Sequence, residues 1–178
     1  MTGDEVAAWL AGIFPDLRLS LNDARPYATA TLGGLPVAVT VGFSSVDTGL
    51  VMQDDANTQV RCEIVCRADA QPQEVAEVVV AATRMIESLG VPAQPGTLLE
   101  NLLPSNHVRH GYLREPELFE RGTPLFNEPG RMTLLLELIL LTDDERDVLR
   151  ERGYSGLATR LRRRGVRVGD WQRDADEG

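Results

Sequence analysis

The sequence predicts an α+β domain in which a mixed, mainly antiparallel β-sheet packs with helices as a single-domain sandwich. Three observations predict it. Residues 132–165 read as a buried strand, a Thr-capped helix and a second helix ended by glycine. Residues 35–41 and 59–67 alternate in character with a period of two, as strands do. Residues 72–90 carry a long helical stripe that starts at Pro72 and stops at Gly90. A chain of 178 residues is within the usual size of one domain, and folding at that length hides roughly 70% of the unfolded surface.

Taken in order, Thr2 and Glu5 form a capping box, and Val6, Trp9, Leu10 and Ile13 recur at helical spacing, so a first helix is expected over about residues 3–14 before Pro15. Leu17, Leu19 and Leu21 then alternate with polar residues as a strand. Residues 28–32 and 35–41 flank Gly33 and Gly34, a pair that suits a tight hairpin because both tolerate positive φ. Pro36 donates no backbone hydrogen bond and belongs at an edge or a strand start. Residues 42–57 lose periodicity and collect Gly, Ser, Asp and Asn, which reads as a long exposed loop of the kind that often carries function. In the next strand, 59–67, Val60, Cys62, Ile64 and Cys66 point inward and Arg61, Glu63 and Arg67 outward.

The helix over 72–90 buries Val75, Val78, Val79, Ala82, Met85, Ile86 and Leu89. Pro92 and Pro95 break the chain, and 97–103 and 112–119 are strand candidates around His107 and His110. Residues 132–141 have helical propensity, yet Pro129 and Gly130 precede them and Thr142 with Glu145 caps a new helix at once, so a central strand fits. Asp143, Asp144 and Glu145 begin that helix and Arg150 and Arg152 end it, matching the helix dipole. Gly153 stops it, and Ser155 caps a further helix that buries Leu157, Ala158 and Leu161 and ends in Arg162, Arg163 and Arg164 before Gly165. Val166 and Val168 suggest a short last strand, Trp171 an anchor, and 174–178 a frayed tail beyond a domain of residues 1–173.

The formal net charge of -9 argues against a nucleic-acid partner, whose binding depends on neutralising phosphates. All eighteen basic residues are arginine. The absence of lysine removes P-loop NTPases, protein kinases, Schiff-base enzymes and pyridoxal-phosphate enzymes, each of which relies on a particular lysine. Cys62 and Cys66 would share a strand face about 13 Å apart, too far to pair with each other, so they read as buried thiols. With no disulfide framework, no charged-then-apolar leader and no apolar stretch near the ~20 residues of a membrane helix, the expectation is a cytoplasmic protein free of the membrane.

His107 and His110 are the sole histidines, so a Ser-His or Cys-His mechanism would have to use one of them, and a small hydrolase built on either is the alternative reading. No Cys or Glu flanks them at a metal-ligand spacing, and G-x-S-x-G, H-E-x-x-H, G-x-G-x-x-G and C-x-x-C are all missing. Asp54 and Asp55 suit a solvated loop, and the arginines at 160–164 suit a helix C-terminus, although they could also grip an acidic partner. No cofactor is expected. For partner binding the sequence points to Phe43, Ser44, Asp47, Asp54 and Asp55 in the long loop, together with His107 and His110.

G-F-S-S at 42–45 after a strand, C-E-I-V-C at 62–66 opening toward a long helix, L-I-L-L-T-D-D-E-R-D-V-L at 138–149 and G-L-A-T-R-L at 156–161 together resemble the suppressor-of-fused domain family over about residues 28–171. The resemblance implies an α+β sandwich and a non-enzymatic, protein-binding role. Animal members clamp a peptide strand of a transcription factor between two domains; this chain has room for the first domain alone, so that clamp does not carry over. Short bacterial members resemble immunity proteins that neutralise toxins, and the all-arginine, alanine-rich composition looks like that of a high-GC bacterium. The resemblance therefore implies another protein, a toxin domain, as the partner.

Overall fold

The computed structural model describes residues 1–20 and 25–173, so Leu21 and the tail expected at 174–178 lie outside the described residues. Thr2 caps α1 (Gly3–Ile13) through the reciprocal box with Glu5. β1 (Arg18–Ser20), β2 (Tyr27–Leu32) and β3 (Leu35–Thr40) follow, with Gly33 and Gly34 at φ 61° and 80° making the β2–β3 turn. β4 (Gln59–Arg67) leads to α2 (Pro72–Leu89), closed by Gly90 in the left-handed conformation. Then come β5 (Leu98–Leu99), β6 (His110–Arg114), β7 (Leu125–Glu128), β8 (Arg131–Leu141) and α3 (Asp143–Arg163).

Among the described residues all eight strands lie in one sheet of order β1-β2-β3-β4-β8-β6-β5, with β7 pairing the first half of β8. The β4–β8 pair is parallel and every other pair is antiparallel. This is the mixed, mainly antiparallel sheet that the sequence predicts. β8 is central because its apolar side chains serve both faces. Leu134, Leu136, Leu138 and Leu140 pack with Cys62, Ile64 and Cys66 against α2. On the other face Leu135 joins Val6, Leu10 and Phe14 of α1, while Ile139 and Leu141 join Val148, Leu157 and Leu161 of α3. A strand covered on both faces reads as a nearly continuous apolar run, which is why its sequence was ambiguous with helix.

Several expectations need correction. Arg61 and Glu63 are buried rather than outward, because the second face of β4 is also covered. The candidate at 97–103 shrinks to Leu98–Leu99, and the one at 112–119 becomes His110–Arg114, with Pro116 unable to continue a ladder. Residues 166–168 form no strand: the Val166 amide donates to the Leu161 carbonyl, closing the end of α3. Trp171 is the expected anchor and packs into the α2 core. α3 is one element broken at Gly153, whose φ of 70° and ψ of -178° produce the stop that the sequence places there.

Candidate functional site

Two helices share one face of the sheet, and the candidate site lies on that face beside α3. α1 packs over Leu135 and α3 over Ile139 and Leu141, so the residue between them on that face of β8, Glu137, is roofed by neither apolar cluster. Its cross-strand neighbour on β6 is Arg114. The two form a bidentate pair, with Arg114 Nη2 donating to both Glu137 carboxylate oxygens at 2.9 and 2.8 Å and Nε to one of them at 3.1 Å. Arg114 Nη1 donates to the Tyr154 hydroxyl at 3.0 Å and lies 2.7 Å from the Glu117 carboxylate. The Tyr154 hydroxyl in turn donates to Glu117 at 3.1 Å, and its ring stacks on Tyr112.

Burial works against the charge on Arg114, but the Glu137 carboxylate and the Tyr154 hydroxyl more than offset it and hold the guanidinium above its ordinary pKa. Burial also pushes the Tyr154 phenol up. This network floors an open groove of about 910 Å³, walled by the second half of α3, the segment 164–170 and the loop carrying Glu117 and Leu118. Arg67, Arg162, Arg164 and Arg167 rim it. At the groove's end Arg173 is buried, donating to both Glu145 oxygens at 3.1 and 2.8 Å and to the carbonyls of Val168 and Asp170. That pair ties the C-terminal segment to the start of α3.

The partner-binding residues expected from the sequence sit elsewhere. Phe43 and Ser44 are buried in a 3-10 turn (Phe43–Ser45), not on an exposed loop, so their side chains offer no surface. That turn has a different task. The amides of Gly42, Phe43 and Ser44 and the Thr40 hydroxyl all donate to the carboxylate of Glu63 at 2.8–3.2 Å. Burial nonetheless pushes Glu63 above the ordinary carboxylate range, against the pull of these donors. The rest of the loop is mostly exposed: Asp47 accepts from the Gly49 amide, Asp55 from Asn57 and Thr58, and Asp54 is open to solvent.

His110 is 1% exposed, accepting from the Asn101 amide at Nδ1 and donating from Nε2 to Asp143 at 2.7 Å. That bond, above all, holds the Asp143 carboxyl below its ordinary range. His107 is exposed, and its Nε2 donates to the Arg173 carbonyl at 2.6 Å. Neither histidine lines the groove. Cys62 and Cys66 are free and buried, and burial pushes both thiols up. Among the described residues no group of three or more His, Cys, Asp or Glu is arranged to hold a metal, and no helix is long and apolar enough to cross a membrane. Sequence reading missed Arg114, Glu137 and Tyr154. The signal available was the single charge in the apolar run of β8.

No known family profile matches the sequence, and no curated protein matches it. Solved structures do. A suppressor-of-fused homologue from Neisseria gonorrhoeae superposes with a TM-score of 0.68 at 13% identity, covering 96% of this chain and 94% of that one. The chain has the suppressor-of-fused fold. A chain of the Sufu–Fu complex matches at TM-score 0.64 and 11% identity over 89% of this chain and 83% of that one. Drosophila Suppressor of Fused matches at 0.58 and 12% identity over 90% of this chain, which spans 46% of the fly protein. Within this fold the buried Arg114–Glu137 pair and the groove above it lie beside α3, on the face of the sheet that α1 and α3 share.

Proposed function

We propose that the chain is a non-enzymatic protein-binding domain, and that it acts as an immunity protein by neutralising a toxin domain. The observation that carries the binding role is the likeness over nearly the whole length to suppressor-of-fused structures, one of them taken from a complex. The immunity role is supported by the likeness to a bacterial homologue over 96% of this chain and 94% of that one. An open groove with charged and apolar lining is the kind of surface such a role needs. Both nitrogens of His110 are spent on structural hydrogen bonds, so nothing there adds support to a hydrolase.

The test is to mix the purified protein with the products of genes adjacent to its own and follow complex formation by size exclusion and calorimetry. A saturable, stoichiometric complex is expected with one of them, and co-expression should restore growth to cells making that partner. If none of them binds saturably, the reading fails. Hydrolysis in a broad substrate screen that disappears in His107→Ala or His110→Ala would replace it.

A further inference from the structure

We infer that the groove above Arg114 and Glu137 is the docking site for an acidic, partly apolar segment of the protein partner, seated in extended form along α3. The inference rests on the protein-binding reading and adds the place and the chemistry.

The chain carries -9 overall, yet Arg67, Arg162, Arg164 and Arg167 gather around one groove. Arg162 and Arg167 are exposed, and among the described residues neither guanidinium makes an ion pair or a hydrogen bond. Of the four acids in the lining, Glu137 is bound by Arg114, Glu117 by Arg114 and Tyr154, and Asp170 accepts from the Gln172 amide, while Asp69 is exposed. With six arginines against four acids in its lining, the groove is net positive on a chain that is net negative overall, which favours acidic chains here.

Leu118, Ala158, Leu161, Val166 and Val168 place apolar surface between the arginine rim and the polar floor. A volume of about 910 Å³ is more than a single side chain fills. A segment whose carboxylates reach the rim while alternate apolar residues face this lining satisfies both. Guanidinium groups suit that task because they hold carboxylates in bidentate geometry. A nucleic acid would meet the same arginines but leave the apolar lining unsatisfied, and it would approach against the net charge.

The experiment uses the full chain and a fluorescent ten-residue peptide of alternating glutamate and leucine, read by anisotropy. Two control peptides carry glutamine or lysine in place of glutamate, and a single-stranded oligonucleotide of equal charge is a third probe. The acidic peptide is expected to bind saturably, more weakly as salt rises, and neither control peptide should bind. Arg162→Glu with Arg167→Glu should weaken it about tenfold or more, whereas Arg84→Glu, exposed on α2 across the sheet, should leave it within about twofold. Unchanged denaturation midpoints establish that the variants are folded.

Failure of the acidic peptide to bind, equal binding by the double variant, or tighter binding of the oligonucleotide would each overturn the proposal. The cognate protein separates this from the broader reading. If the double variant binds that protein unchanged, the docking site is elsewhere and the binding role stands. If neither the native chain nor the variant binds any partner, it is the binding role that fails.

Discussion

Arg114 and Glu137 are each other's main compensation for being buried, at 7% and 2% exposure. Removing one partner strands the other charge in a site that cannot solvate it, which costs about 3–5 kcal/mol, whereas replacing both with apolar residues of similar size is close to neutral. Glu137→Leu alone should therefore lower stability by that amount in denaturant titration, and Arg114→Met with Glu137→Leu should recover most of it. Equal losses in the single and double variants would show that the pair is not coupled. The buried ring of His110 likewise satisfies the Asn101 amide. His110→Ala should cost about 1–3 kcal/mol by leaving that donor without its partner and opening space in the core. None of these pairings was legible beforehand. Arg114 and Glu137 are 23 residues apart, and the alternation that placed Arg61 and Glu63 outward assumed a sheet with one wet face, whereas this sheet is covered on both.

At the scale of elements, the junction between β8 and α3 was fully legible because its signals are local. Thr142 accepts from the Glu145 amide and Glu145 from the Thr142 amide, as the spacing alone predicts. Thr142→Ala should cost about 1 kcal/mol, read as a shift in denaturation midpoint at constant slope. The break in α3 at Gly153 was likewise readable from glycine, and its φ of 70° with ψ of -178° is a region essentially confined to glycine. Gly153→Ala should cost about 1–3 kcal/mol and weaken acidic-peptide binding, because Tyr154 begins the half of α3 that walls the groove. Full stability in this variant would mean that the kink is soft. The strand ends at 99 and 114 and the turn at 166 were misread because they are set by pairing with distant strands and by the close of α3, neither of which leaves a local pattern.

For the whole molecule the fold class was readable from periodicity and caps, while the groove was not, because it is defined by how α3, the segment 164–170 and the loop at 117–118 come together over the sheet. The same global arrangement sets the response to acid. Asp143, held mainly by His110, Glu87, held by Arg25, Asp16 and Asp55, held by threonine hydroxyls, and Glu5, held by the Thr2 amide, all have folded pKa values below their ordinary ones. Such groups stabilise the fold above their unfolded pKa and lose that contribution as pH falls through the folded one. Glu63 runs the other way: its raised pKa favours the fold below the ordinary carboxylate value, and that contribution is lost as pH rises through the folded value. Below the ordinary carboxylate value Glu63 is protonated in both states and adds no slope, so the five lowered groups set the acid limb. Stability measured by urea titration should hold to about pH 5 and fall below about pH 4. Asp143→Asn should flatten the acid limb, because the group whose protonation contributed to it is gone, and it should do so without moving the binding of the acidic peptide, since Asp143 lies outside the groove. An acid limb unchanged by Asp143→Asn would assign the loss to the other four carboxylates.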